Sequence, residues 1–263
     1  MAPDPRTALA LASHVDYFRN VSVREPGGAV VEEGGVFLYA GPHPLPVLVN
    51  GALRLEQDLD PTDVIDRAQA FFGARGRGFS IYGLVGRDDD VIDAAERAGM
   101  TAFGDPAPLM VLTGTLPPAD LASGVRIERV TSEQQVADAA AVCADAYAVY
   151  GMPADVPTAC MTPRTMLTSD TAAVVAYDGD GPVATATAMG TGDVSYIAWV
   201  GTAQRAMRRG LGDAVTRAAT TSGLELGPDV TALLASPMGA PVYRRMGFVE
   251  VGRLTSRMAL DAG

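Results

Sequence analysis

The residues best suited to chemistry cluster around one apolar run in the C-terminal half. Tyr196, Ile197, Ala198, Trp199 and Val200 read as a strand, and the chain then turns through Arg208-Arg209-Gly210-Leu211-Gly212 into an amphipathic helix. Glycines let the backbone come close, the first N–H groups of a helix lack intrahelical acceptors, and the helix dipole favours negative charge. Strand, glycine pair and arginines together make an anion site. Gly-x-Gly alone occurs in many turns, and its plain alternative is a helix cap with solvated arginines. A second constellation, Tyr243-x-x-x-Gly247-Phe248, follows a strand ending at Ser236. A phenol with a pKa of about 10 is protonated at neutral pH and can donate to a departing thiolate. The alternative for Tyr243 is a core tyrosine with a satisfied hydroxyl.

Other chemistries are poorly supported. The two histidines, His14 and His43, lie far from the glycine loop in sequence, which argues against a histidine dyad or a zinc site. Cys143 and Cys160 lack C-x-x-C spacing; Cys143 falls on the apolar face of a helix, so buried thiols in a reducing compartment are expected. The net charge of -11 argues against a nucleic-acid partner, which needs a basic face. No apolar run is long enough to span a bilayer, and the opening stretch lacks the basic region and apolar length of a signal peptide. These features lead us to expect a cytoplasmic protein without membrane partners. With 263 residues, 48% of them hydrophobic, the chain can build one large core or two small ones.

These residues need elements to position them. A helical pattern near Arg6–Phe18 precedes strands at Ala29–Val31, Val36–Ala40 and Pro46–Leu55. Asp60-Pro61-Thr62-Asp63 starts a helix that runs through Phe72. A strand (Phe79–Val85), a helix (Asp89–Ala98) and a strand ending at Leu112 complete the first half. GTLPPADLASG, from Gly114 to Gly124, reads as a boundary. The second half offers a strand (Val125–Val130), a helix from Glu133 to Tyr150 capped by Thr131-Ser132, and a loop with one short helix over Met152–Leu167. A hairpin (Ala172–Tyr177, Val183–Met189) turns through Asp178-Gly179-Asp180-Gly181. The glycine-loop unit follows, then a strand (Val230–Ser236), a helix (Pro241–Met246) and a strand (Phe248–Leu260). In the glycine-loop helix Leu211, Ala214, Val215, Ala218 and Ala219 form a stripe that can pack on a sheet.

The halves resemble one another. Ala95-Glu96-Arg97-Ala98-Gly99-Met100 aligns without gaps on Tyr243-Arg244-Arg245-Met246-Gly247-Phe248, and the elements before it recur in order, which supports an internal duplication. The first half has Gln57-Asp58-Leu59-Asp60-Pro61 in place of the glycine pair and Ala95 in place of Tyr243. It puts carboxylates where an anion would sit.

The stretch from Trp199 to Phe248 resembles the GNAT superfamily of N-acetyltransferases. Its loop is similar to the family's Q/R-x-x-G-x-G/A signature, and Tyr243 before Gly-Phe is similar to the family's last helix. The resemblance covers about Val125–Leu260, and two motifs in order make it specific. It implies an α/β (α+β) fold with a mixed central sheet flanked by helices, present as two similar halves in tandem. The expected organisation is a degenerate copy over 1–115, a linker over 116–123 and a catalytic domain over 124–263.

The resemblance also implies acetyl-CoA as co-substrate, with no metal. Backbone groups of Val200, Gly201 and Thr202 would pair with its pantetheine arm. N–H groups of Arg208, Arg209, Gly210, Leu211, Gly212 and Asp213 would hold its pyrophosphate. Ser236 stands where the family often has asparagine, and Tyr243 would be the general acid. The acceptor would be a primary amine of a small molecule or peptide, attacking directly in a ternary complex. Contacts to it are expected around Tyr147, Tyr150, Met152 and Asp155. The oligomeric state, a homodimer included, is left open.

Two positions depart from the family pattern. Met207 replaces the first Gln or Arg of the signature, which costs a side-chain contact. Val194–Val200 contains no carboxylate, whereas many relatives carry a glutamate there as general base. A lysine-like amine with a pKa of about 10.4 is neutral in only about one molecule in 10³ at pH 7, and a general base is worth about 10²–10⁴ in rate. A water chain, a residue from the first half or Asp145 could serve. A non-catalytic acyl-CoA binder or sensor is the rival reading. A dinucleotide binder is weaker, because Val215 replaces the last glycine of G-x-G-x-x-G.

Overall fold

The computed structural model describes residues 4–260. In chain order the elements are α1 (Pro5–Arg24), β1 (Ala29–Glu33), β2 (Val36–Ala40), β3 (Asn50–Arg54), α2 (Pro61–Gly73), β4 (Phe79–Leu84), α3 (Asp89–Arg97), β5 (Thr101–Ala102) and β6 (Ala107–Thr113). They continue with β7 (Arg126–Arg129), α4 (Glu133–Tyr147), α5 (Asp155–Cys160), α6 (Pro163–Met166), β8 (Thr171–Asp178), β9 (Gly181–Thr191) and β10 (Val194–Thr202). The last four are α7 (Leu211–Leu224), β11 (Val230–Leu234), α8 (Ala240–Met246) and β12 (Val249–Ala259), and single 3-10 turns span Ala148–Tyr150 and Gln204–Ala206.

These elements fall into two compact units, each discontinuous in sequence. The N unit is Phe18–Leu109 with residues 252–260; the C unit is Met110–Val251 with residues 4–17. This departs from the linear division expected at 116–123. β6 borders β11 of the C unit, and β12 borders β4 of the N unit. The physical reason is that a strand's apolar pattern specifies its buried faces and not its neighbour. Among the described residues no helix is long and apolar enough to cross a membrane.

In the C unit the strand order is β6-β11-β10-β9-β8-β7. β7, β8, β9 and β10 pair antiparallel in succession, and β10 pairs parallel with β11. Alternation along β8 builds two cores. Ala172, Val174 and Ala176 join Leu211, Val215 and Ala219 of α7 and Met246 of α8. Ala173, Val175 and Tyr177 face Val136, Ala139, Ala140 and Cys143 of α4. A Cβ on Gly223 would come within 2.1 Å of Ser195 Oγ, so α7 reaches its position over β10 only with glycine there. Of the expected α7 stripe, Ala218 alone is only partly buried.

The N unit repeats the pattern in the order β1-β2-β3-β4-β12, with β5 beside β12. β1, β2 and β3 pair antiparallel and β3 pairs parallel with β4, the same succession as β8-β9-β10-β11. Its core joins Val64, Ile65, Ala68 and Phe72 of α2 to Val91, Ile92 and Ala95 of α3, with Phe72 stacked on Phe79 at 4.7 Å. The expected duplication is thus visible as strand order.

Four local expectations are corrected. The strand expected over Pro46–Leu55 forms only at Asn50–Arg54, because Pro46 lacks a ladder donor and Leu48 takes φ +65°. The helix expected to reach Tyr150 ends its α form at Tyr147 and tightens into a 3-10 turn closed by Gly151. Met152–Leu167 holds two short helices, since Thr162 and Thr165 form a capping box that starts the second of them, with Pro163 at its first position. Neither cysteine is in a disulfide, but only Cys143 is buried; Cys160 is partly exposed.

Candidate functional site

The site grows from a fork in the C-unit sheet. β10 and β11 run parallel from Val194 with Val230 to Ile197 with Leu233. β11 ends at Leu234 while β10 continues to Thr202, so β10 runs on past its neighbour. Just beyond the last pair the β10–β9 register slips between Ala198 and Gly201, and Trp199 takes φ +51°. Such a bulge re-aims the strand and strengthens its twist. Gly201 is then in register with Thr185, and Ala203 N–H donates to Val183 O at 2.8 Å. Ladder alternation therefore leaves the N–H and C=O of Thr202 on the edge away from β9. Val200 C=O accepts from the Tyr147 hydroxyl at 3.2 Å.

The loop after β10 forms an open helix start. Arg208 takes φ +63° and Gly210 takes φ +76° as N-cap of α7, with no side chain capping the helix. N–H groups of Leu211, Gly212 and Asp213 in the first turn have no intrahelical acceptors. Gly212 lies against β10, where a Cβ would meet Thr202 Oγ1 at 3.3 Å. The arginines divide. Arg209 Nη1 pairs with Asp178 Oδ2 at 2.8 Å, alongside Arg205, whereas Arg208 carries none of these pairs and is exposed. The Arg209 hydrogen bond, ahead of the other contacts, holds Asp178 below the usual carboxylate range. Asp213 is engaged by Arg217 one turn on, at 2.9 Å. Asp145, a candidate base by sequence, caps the 3-10 turn instead: its Oδ2 accepts from Gln204 N–H at 2.5 Å.

Tyr243 and Ser236 stand across the fork. Tyr243 is buried on α8, and burial pushes its phenol well up, with the nearby Tyr150 adding to this and the Thr216 hydroxyl of α7 partly offsetting it. Ser236 Oγ accepts from Gly239 N–H at 3.1 Å and meets the Tyr150 hydroxyl at 3.4 Å. The end of α4 is thereby tied to both prongs, through Tyr147 to Val200 and through Tyr150 to Ser236. Tyr147 lies edge-on to Trp199, with centroids 5.8 Å apart, and 6.3 Å from Tyr150. Burial raises the Tyr147 phenol well above its ordinary value, and Cys143, Tyr243, Tyr17 and Tyr150 reinforce this. Met152 and Asp155 follow in the turn that leads into α5.

Sequence reasoning missed the contribution of α1. His14 is buried in the C unit with Nδ1 2.6 Å from the Tyr196 hydroxyl, and Tyr17 packs on Tyr196 at 5.1 Å. Burial pushes the His14 imidazole down to about 4. His14 and Tyr196 are 182 residues apart, and no motif links them. The period-3 spacing of His14 and Tyr17 on one helix face was the available signal.

No family model and no curated protein match this chain. Solved structures do. A GCN5-related N-acetyltransferase from Kribbella flavida superposes with TM-score 0.72 at 23% identity, over 96% of each chain. A tandem GNAT protein from the clavulanic acid biosynthesis pathway gives TM-score 0.61 at 14% identity, over 95% of this chain and 88% of that one. A GCN5-related N-acetyltransferase from Sphaerobacter thermophilus gives 0.59 at 13% identity, over 99% and 94%. The chain thus adopts the GNAT fold in its tandem, two-unit form.

Proposed function

We propose that the C unit is an N-acetyltransferase that moves an acetyl group from acetyl-CoA to a primary amine of a small molecule or peptide. The observation that carries this reading is the uncapped, glycine-opened start of α7 at the end of a strand that outruns its neighbour. The residues fit a coenzyme A thioester. Leu211, Gly212 and Asp213 offer N–H groups to a pyrophosphate, Arg208 adds a cation, and the Val200–Thr202 edge accepts an amide-bearing arm. Arg209 plays a smaller part, because Asp178 already holds it.

Acetyl-CoA supplies the activated acetyl group; the chain supplies placement, a donor and a proton. The N–H of Val200, beside the bulge, would donate to the carbonyl oxygen as charge builds there. The neutral amine bonds to the carbonyl carbon as the C–S bond breaks; Tyr243 gives its proton to the leaving sulfur and regains one from the acetylated nitrogen through solvent, and a phenol raised by burial is protonated for that task. Holding both reactants in one complex supplies much of the remaining rate. No carboxylate stands in Val194–Thr202, which favours a second reading as an acyl-CoA sensor.

Thiol release from acetyl-CoA over a panel of primary amines separates the two. Turnover is expected in the wild type, with Tyr243→Phe lowering kcat about 10²–10³-fold and leaving the KM for acetyl-CoA within about twofold. Tight acetyl-CoA binding without thiol release for any amine would establish the sensor instead. Unchanged kcat in Tyr243→Phe would remove Tyr243 from the mechanism.

A further inference from the structure

The β9–β10 pairing sets two residues against one beside the fork. Ala198 faces Thr187 and Gly201 faces Thr185, so Trp199 and Val200 share Ala186 between them. Trp199 is thereby brought to φ +51°, a costly conformation for a bulky residue that persists only where its surroundings enforce it. The matching strand of the N unit has no such break: β2 and β3 stay in register from Val36 with Arg54 to Ala40 with Asn50. The irregularity belongs to the unit with the open helix start.

The last turns of α4 enforce it. Cys143, fully buried, donates its S–H to Trp199 C=O across 3.5 Å. One turn on, the Tyr147 hydroxyl donates to Val200 C=O at 3.2 Å. Asp145 takes Gln204 N–H just past the end of the strand. Gly201 leaves room for this approach, since a Cβ there would stand only 3.2 Å from the Ala146 Cβ. Burial pushes the Cys143 thiol up, so the sulfur keeps its proton and remains a donor. A trans peptide sets its C=O and N–H on opposite sides. Holding Trp199 C=O against α4 therefore aims the Val200 N–H away from α4, whereas a flipped peptide would present an oxygen there.

We propose that Cys143 and Tyr147 are positioning residues: by holding two successive carbonyls of the bulge, they fix the Val200 N–H in the orientation that donates to a thioester oxygen. The inference rests on the acetyl-transfer reading for its effect on rate, while the hold itself can be read without turnover.

Trp199 is the single tryptophan of the chain, so tryptophan labelled with 13C at its carbonyl carbon marks one peptide, the one at the bulge. Its isotope-edited infrared band is expected to rise in frequency in Cys143→Ala and to return part of the way in Cys143→Ser. Acetyl-CoA should lower the wild-type band, because an N–H that donates polarises its own peptide, and coenzyme A without the acetyl group should not. In turnover, Cys143→Ala and Tyr147→Phe are each expected to lower kcat about tenfold with the KM for acetyl-CoA within about twofold, and Cys143→Ser to recover part of the loss. A packing defect alone would order the Cys143 variants the other way, because a buried hydroxyl costs more than a methyl. A band unmoved in Cys143→Ala, a band indifferent to the acetyl group, or serine no better than alanine overturns the inference, and does so alone if amines still release thiol. Both band shifts in a chain that releases no thiol would sustain the inference and overturn acetyl transfer.

Discussion

The two forks of this molecule began from one plan and ended in opposite chemical states. In the C unit β10 runs on past β11, the following helix starts on Gly210 with no side-chain cap, and Tyr243 is buried nearby. In the N unit β3 ends one residue after its last pair with β4, at Arg54. Arg54 is 3% exposed and reaches across to Asp88 at 3.2 Å and Asp90 at 2.8 Å, with Leu59 C=O and Arg87 C=O as further acceptors. The start of α2 is closed as well, since Asp60 Oδ1 accepts from Thr62 N–H at 2.8 Å. A guanidinium spans one fork and a carboxylate caps its helix, so an anionic ligand meets charge repulsion and no free donors. The other fork keeps its donors. In the N-unit fork internal pairing takes up the groups that stand open in the C unit.

The largest effect that would sharpen this contrast is on stability. Arg54→Met leaves Asp88, itself 2% exposed, with Arg87 and the Leu84 N–H as its remaining partners. Removing one member of a buried ion pair costs about 3–5 kcal/mol, and the retained Arg87 contact places the expected loss near the lower end. Chemical denaturation of the variant measures it, and a loss under about 1 kcal/mol would show that the network is not what closes the N-unit fork.

Acid should also tell the units apart. Burial holds the His14 imidazole near 4, against an ordinary 6.5. The unfolded chain therefore takes up a proton between those values that the folded chain refuses. The contribution is complete above pH 6.5 and falls by about 3 kcal/mol as pH drops to 4. Asp90 works in a lower window: its hydrogen bond to Arg54 depresses its carboxyl, so its contribution stands above the ordinary value of about 4 and fades below it. Unfolding free energy between pH 7 and 4 should thus fall in the wild type and flatten in His14→Gln. Equal slopes in the two proteins would contradict the C-unit half of this statement.

Gly210→Ala is expected to be the mildest of the three. An alanine at φ +76° carries strain of about 1–2 kcal/mol, so acetyl-CoA affinity should fall about tenfold through a distorted helix start. Affinity equal to that of the wild type would mean the cradle tolerates a Cβ and is not held in this geometry.

Local chemistry was legible in the sequence and long-range pairing was not. The Gly210–Gly212 loop, Tyr243 and Asp60 follow from residue type and spacing, because helix starts and turns are decided over a few residues. The strand succession of both units was also readable from alternation and turns. The arginine pair read as equivalent, yet Asp178, 31 residues before Arg209, claims only one of them. Tyr196 lies 182 residues from His14, and the carboxylate partners of Arg54 lie 34 and 36 residues away, with no motif to announce them. The placement of β6 and β12 was hidden for a related reason: the pattern of a strand specifies its buried faces and not its neighbour.

The central claim is that one fork binds a coenzyme and the other cannot. Calorimetric titration of acetyl-CoA into the whole chain tests it most directly, with Gly210→Glu as the paired variant. One molecule per chain is expected, with binding abolished in Gly210→Glu. Two molecules per chain, or a single site that survives Gly210→Glu, would contradict it.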